Sequence, residues 1–298
     1  MLACNLPTHR STPVINPSPP IETSDGSLPK NAPVLLPTLT FEPTATIPPI
    51  MRIDNGDRAL FNGDWDIAIR EYNEALNASQ DAQTQTAALL GIGKANYYEG
   101  NYQTAVDSFT RLIQNYSEST DIPYAYFGLS QTYTALERYS EAADAYLNYL
   151  ALRPGTIDAY VLNLRGDALR NANDFTGAIN DYRAALQSPS LLDSLDIEIK
   201  IARTHAIAGD YGTAIALYQD IYNRTTDDYT KAQLDLYIGQ AYTALGQMQD
   251  AYAAYQDAVN NFPTAYDSYQ ALLVLVNDEQ PVDELNRRLV EGLLVLGK

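Results

Sequence analysis

Lys94 stands directly behind Gly91-Ile92-Gly93, a lysine after glycines being the arrangement that cradles a phosphate. That chemistry also needs a glycine five residues before Gly93 and a Ser or Thr after the lysine. Ala88 and Ala95 hold those places, so the loop is absent. Asp54-Asn55-Gly56-Asp57 has the composition of a calcium loop but not its twelve-residue ligand spacing, and reads as a helix cap. His205 could serve as a base only beside an orienting carboxylate and a nucleophile. The sequence pattern gives it neither, and it reads as a packing residue. Carboxylates such as Glu141 and Asp144, or Asp250 and Asp257, fall on outward helical positions. Glycoside hydrolysis needs a cleft that raises the pKa of one of its two carboxyls, and no spacing here creates one. Gly-x-Ser-x-Gly and His-Glu-x-x-His are missing. The expectation is a non-enzyme without metal or cofactor.

The 298 residues carry 37 acidic and 19 basic side chains, a formal charge of -18. Nucleic acid is thereby excluded as a partner, because its capture depends on Lys and Arg neutralising phosphates. Two histidines and one cysteine exclude a disulfide framework and a His/Cys zinc site. Eleven of the 16 prolines fall in residues 1–50, and all 23 tyrosines fall after them. Proline lacks the donor a helix ladder needs, and the apolar residues of this stretch show no period. Residues 1–49 are therefore expected to be a disordered Pro/Ser/Thr-rich linker.

The elements that must position any site come from one motif repeated. An alanine is followed four residues later by an aromatic and three further on by a small, aliphatic or aromatic residue. The series runs Ala68/Tyr72/Ala75, Ala105/Phe109/Leu112, Ala142/Tyr146/Tyr149, Ala178/Tyr182/Ala185, Ala214/Tyr218/Ile221 and Ala251/Tyr255/Ala258. Twelve residues before each alanine stands Gly56, Gly93, Ser130, Gly166, Ala202 or Gly239. Offsets of three and four share a helical face, so the aromatic fills space that the small residues leave. Gly63-Asp64, Gly100-Asn101, Asn173-Asp174 and Gly209-Asp210 supply chain-reversing turns. Pro154 and Pro263 stop second helices. Trp65 sits in the first turn as a wedge between hairpins. Each unit is an αα-hairpin that buries its apolar face only by stacking.

These residues resemble the tetratricopeptide repeat, with a small residue at position 8, alanine at 20, an aromatic at 24 and proline near 32. The resemblance implies an all-α solenoid of about six helix-turn-helix repeats over residues 50–264. Repeat one, with a thin first helix, would cap it. It further implies that first helices line a concave groove, through positions 2, 5, 9, 12 and 13. Those positions are Lys94, Tyr97 and Tyr98, then Tyr124, Phe127 and Gln131, then Tyr160, Asn163, Asp167 and Arg170, then Arg203 and Gln240. Stacking faces with a few fixed polar groups suit an extended peptide or a glycan. Lys94, Arg170 and Arg203 are expected to be free to meet a carboxylate-bearing partner.

Both ends carry further resemblances. Leu2-Ala3-Cys4 before the linker is similar to a bacterial lipoprotein lipobox, which implies a lipid on Cys4 and an envelope location. The linker could then reach roughly 140 Å. Membrane contact would come only through that lipid. Asp267-Ser268-Tyr269-Gln270-Ala271-Leu272 and Gln280-Pro281-Val282-Asp283-Glu284-Leu285 read as a helical hairpin over 265–298. It is similar to the helical region preceding the catalytic domain of some lytic transglycosylases. That family's glutamate lies in a Glu-Ser-x-aromatic motif, whereas the Glu-Ser pair here continues Glu118-Ser119-Thr120-Asp121 between repeats. Two functions follow: a non-catalytic scaffold for a partner protein or peptide, or a peptidoglycan-directed module lacking its catalytic domain.

Overall fold

The computed structural model describes residues 47–189, 194–278, 280 and 282. The linker as far as residue 46, with Cys4, lies outside them, as does nearly all of the second arm expected in the C-terminal hairpin. Thirteen α-helices run through the described residues: α1 (Pro49–Asn62), α2 (Trp65–Ala78), α3 (Ala82–Glu99), α4 (Tyr102–Asn115), α5 (Ile122–Ala135), α6 (Tyr139–Leu152), α7 (Asp158–Asn171), α8 (Phe175–Gln187), α9 (Leu195–Ile207), α10 (Tyr211–Arg224), α11 (Asp228–Ala244), α12 (Met248–Asn261) and α13 (Tyr266–Asn277). Each packs against its chain neighbours, and α1 with α3, α3 with α5 and α11 with α13 also touch. The result is six stacked hairpins and a thirteenth helix seated on the last.

The repeated triplet forms the core. Every alanine, aromatic and third residue of the six units is buried, Tyr72, Phe109 and Tyr182 completely. The small residues decide how closely the helices approach. A methyl group added at Gly56 would sit 2.7 Å from Tyr72 Cδ1, one at Gly166 2.7 Å from Tyr182 Cδ1, and one at Gly239 2.6 Å from Tyr255 Cδ1. In the first two repeats a second glycine closes the other side of the ring. Gly91 faces Tyr72, and Gly128 faces Phe109, from the following hairpin. Two glycine-bearing backbones thus clasp one ring.

The turns repeat as strictly as the core. Gly63, Gly100, Glu137, Asn173, Gly209 and Gly246 all take positive φ, between 58° and 89°. After each, the next amide donates to the carbonyl five residues back, as from Asp64 to Ala59 at 2.9 Å and from Gln247 to Tyr242 at 2.9 Å. This Schellman closure satisfies the carbonyls that a helix end leaves orphaned. Gln280 makes the same bond to Leu275 at 2.8 Å, so α13 ends as the other first helices do. Two second helices start on aspartate caps: Asp174 accepts from the Gly177 amide at 2.9 Å and Asp210 from the Thr213 amide at 3.3 Å.

Two expectations need correcting here. The first helix of repeat one is not thin: α1 has 14 residues and buries Ile53, Gly56 and Ala59. Its charges are spent locally, Arg52 pairing with Glu71 at 3.1 Å and with Glu74. The calcium-like Asp54-Asn55-Gly56-Asp57 caps nothing. It lies inside α1, where Asp57 accepts from the Tyr72 hydroxyl at 2.6 Å. Trp65 begins α2 and stacks on Tyr98 of the next hairpin, 5.1 Å between centroids.

Candidate functional site

Because Gly93 and Gly128 let α3 and α5 close on Phe109, the end of α3 and the start of α5 come to face one another. Lys94, Tyr97 and Tyr98 from α3, with Tyr124, Phe127 and Gln131 from α5, line one cavity of about 270 Å³ that Phe109 and Gly128 also border. Its aromatic walls are held in place. Tyr97 packs edge-on against Tyr98 at 5.3 Å and against Tyr102 at 5.9 Å. Phe127 is held by Tyr146 and Tyr149 at 6.1 and 5.3 Å. Arg153 stacks on the Tyr124 ring and bonds its hydroxyl. Burial, then the neighbouring phenols of Tyr102, Tyr98 and Tyr160, push the Tyr97 hydroxyl above the usual range, so it stays a neutral donor. The exposed Lys94 ammonium makes no ion pair or hydrogen bond among the described residues.

The middle of the groove is organised differently. Asp167 accepts from the Tyr182 hydroxyl at 2.8 Å and from Lys200 at 2.9 Å, and it pairs with Arg170 at 3.2 Å. Lys200 also donates to Asn163 at 2.9 Å. Arg170 and Asn163 are therefore engaged inside the protein, and the expectation of a free Arg170 is corrected. Tyr160 stays more than half exposed beside them. Further along, Arg203 and Gln240 border a second cavity of about 230 Å³ with Tyr211, Tyr218 and Tyr237. The Arg203 guanidinium lies 5.2 Å over the Tyr237 ring, a cation–π contact that leaves its donors open.

His205 does have an acidic neighbour. Its Nδ1 lies 3.1 Å from Asp210 Oδ2, a contact that bridges the turn. Asp210 is also the cap of α10, accepting from the Thr213 amide, and Nε2 is buried without a partner. The pair thus closes a turn and presents no base to solvent. Among the described residues no group of three His, Cys, Asp or Glu is placed to hold a metal ion. No helix there is long and apolar enough to cross a membrane.

Family models described as the tetratricopeptide repeat match residues 53–120, 90–156, 163–229 and 233–265. The chain belongs to the tetratricopeptide repeat family. A tetratricopeptide repeat protein of Parabacteroides merdae ATCC 43184 has a similar solved structure. It is 16% identical, with a TM-score of 0.58 over 78% of this chain and 87% of that one. The C-terminal part of a repeat protein from Cytophaga hutchinsonii gives the same TM-score and identity over 75% and 87%. At such identity the likeness establishes the fold. No curated protein sequence matches. In this family's terms the chain is repeat array throughout the matched region, an architecture typically non-catalytic and built for protein–protein interaction.

Sequence reasoning missed two groups of polar residues in the tetratricopeptide repeat array. Lys200 lies two residues before Ala202, outside the groove positions, yet reaches back one repeat to Asp167. Asp235 lies on α11, four residues before Gly239, and is buried with its Oδ2 unpartnered. Burial, then Asp257, pushes its carboxyl up to about 7, with Lys231 pulling the other way. A cavity with one raised carboxyl beside others therefore exists, contrary to the expectation that none is formed.

Proposed function

We propose that this chain is a non-catalytic scaffold that holds an extended segment of a partner protein. The segment lies along the first helices and is centred on the cavity between α3 and α5. The observation that carries the reading is that unpaired Lys94, fixed aromatic walls and the amide of Gln131 converge on one open cavity. An extended peptide needs such a set: rigid faces for its side chains, and a cation for a carboxylate or backbone carbonyl. Arg203 and Gln240 extend the same reading toward repeats five and six. The peptidoglycan-directed alternative retains only the C-terminal sequence resemblance, so the peptide reading is preferred.

The scaffold works from the cell envelope, tethered by a lipid on Cys4 with residues 5–46 as spacer. Leu2-Ala3-Cys4 and the prolines that follow support this. Mass spectrometry of the N-terminal peptide from native cells would carry the lipid on Cys4; an unmodified thiol there defeats the tether.

The groove reading is tested by selecting binders from a displayed random-peptide library on the full chain. Chosen peptides should carry a carboxylate and shift the amides of residues 94–131. Lys94→Glu with Gln131→Ala should lower their affinity at least tenfold while leaving the melting temperature unchanged. Binders that map elsewhere, or that ignore the double substitution, overturn the reading.

A further inference from the structure

Residues two apart on a helix point in nearly opposite directions. Tyr237 and Gln240 of α11 serve the groove, so Asp235 and Tyr242 lie on the helix's other side. There a separate cavity of about 480 Å³ opens between α10, α11 and α12. Asp235 forms part of its wall, Asp250 and Asp257 stand at its exposed edge, and Gln219 and Asn223 supply amides from α10.

The repeat register shows what this cavity lacks. Thirty-seven residues before Asp235 and Asp257 stand Glu198 and Asp220, and both pair with one guanidinium, that of Arg224, at 3.0 Å from Asp220. Thirty-seven residues after Arg224 stands Asn261. Repeat six therefore keeps the two carboxylates and has lost their cation. Among the described residues, Asp235, Asp250 and Asp257 make no ion pair, and Asp235 Oδ2 is buried with no hydrogen-bond partner. Lys231, one turn before Asp235, holds its ammonium 5.4 Å over the Tyr222 ring instead. A buried carboxylate without a partner is costly, and the counter-charge its neighbour repeat builds in is here left to come from outside.

We propose that the cavity between α10, α11 and α12 takes a guanidinium group, which stands where Arg224 stands one repeat earlier and is held by Asp235 and Asp257. The planar fork of a guanidinium suits two carboxylates at once, and the Gln219 and Asn223 side-chain oxygens can take its remaining donors. A -18 chain draws such a cation in. The groups facing Asp235 are Asp257 from α12, Tyr222 from α10 and Lys231 from its own helix. Because burial and then Asp257 hold Asp235 protonated to about pH 7, a bound cation at that pH displaces about half a proton. This site is independent of the groove between α3 and α5, and the failure of either leaves the other standing.

The test uses the full-length, ¹⁵N-labelled chain titrated with methylguanidinium, with Ac-Gly-Arg-Gly-amide and with its uncharged citrulline counterpart. Saturable shifts at residues 219, 223, 235 and 253 are expected with both cations and not with citrulline. Tighter binding of the peptide identifies an arginine of a partner chain as the source; equal binding identifies a free guanidinium compound. Calorimetry in buffers of different ionisation enthalpy should show the proton release. Asp257→Asn, on the exposed edge, should weaken binding about tenfold. Asn261→Arg, which restores the cation of repeat five, should abolish binding and raise the melting temperature. Shifts spread over the whole acidic surface and erased by 0.15 M salt overturn the proposal. Binding undiminished in Asn261→Arg overturns it too, as does saturation by calcium at lower concentration than by methylguanidinium.

Discussion

Gly128→Ala tests whether glycine sets the spacing of this array. The added methyl would lie 2.7 Å from Phe109 Cε1 and 2.8 Å from Cε2, where ordinary contact begins near 3.4 Å. Phe109 is fully buried and cannot retreat. On its far side a methyl at Gly93 would meet Cδ1 at 2.7 Å, so that backbone is as close. The strain must therefore be relieved by moving α5 away from α4 by a sizeable fraction of an ångström. Overpacking of that kind costs about 1–3 kcal/mol. Alanine returns about 1 kcal/mol of helix propensity, leaving a net loss of up to about 2 kcal/mol. Gly212→Ala, in α10 with nothing within 4 Å, should gain about 0.5–1 kcal/mol from the same exchange. Urea unfolding followed by circular dichroism gives the two signs. Hydrogen exchange gives the location, with protection lost over residues 102–135 and kept in α11 to α13, because repeats couple mainly to neighbours. Phe109→Leu combined with Gly128→Ala should cost less than the sum of the two, since the smaller side chain leaves room for the methyl. If Gly128→Ala stabilises the chain as Gly212→Ala does, the ring is not clasped and the argument fails.

Two further predictions rest on single residues. Asp235 is held neutral by burial, its carboxyl raised from 3.8 to about 7, so the folded state keeps a proton that the unfolded chain loses. Stability from this group is whole below pH 4 and falls as pH rises to about 7. The fall is on the order of 4 kcal/mol, and the unfolding midpoint of wild type should drop against that of Asp235→Asn over this range; parallel pH curves would exclude it. Glu137 takes φ 58° at a turn where four of its five counterparts are glycine, and it is exposed with no side-chain partner among the described residues. Glu137→Gly should raise stability by about 0.5–1 kcal/mol with an unchanged m-value, the relieved left-handed strain exceeding glycine's entropy cost.

The repeat was legible because its message is local: alanine, aromatic and small residue at offsets fixed by one helix. Four of six left-handed turns were legible for the same reason. Glu137 was not, because glutamate carries no turn signal, and Gly246 was not, because Gln247 gives no polar cap after it. The length of α1 was missed, because its support comes from another helix, as when Arg52 is matched from α2 by Glu71 and Glu74. The lining positions of the cavity between α3 and α5 followed from the family pattern. The polar contacts elsewhere in the array did not, because Lys200 reaches Asp167 between repeats and His205 reaches Asp210 across a turn. Asp235 looked like any other aspartate of an acidic chain. Its burial is decided by α10 and α12, which a helix-by-helix reading does not see.

One position shows how a uniform framework becomes a graded surface. Two residues before the small residue of each first helix from α3 onward, the chain meets the aromatic region of the preceding hairpin. The series runs Gly91, Gly128, Leu164, Lys200 and Tyr237. With glycine there, the ring is clasped by backbone, and the space above Phe109 stays open for Lys94 and Gln131 to line. Leu164 instead adds an apolar contact beside Tyr146 and Tyr149. Lys200 brings a second cation to the Asp167 that accepts from the Tyr182 hydroxyl and pairs with Arg170, and it also donates to Asn163. Tyr237 lays a second ring 5.6 Å from Tyr218 and carries the Arg203 guanidinium 5.2 Å over its centroid. The triplet stays buried in every unit, while the residue at this one position changes what lies over each aromatic ring. The Lys94 ammonium at the α3–α5 end and the carboxylates of Asp235 and Asp257 on the reverse of α11, none of them in an ion pair among the described residues, thus put opposite charges on different faces of the array.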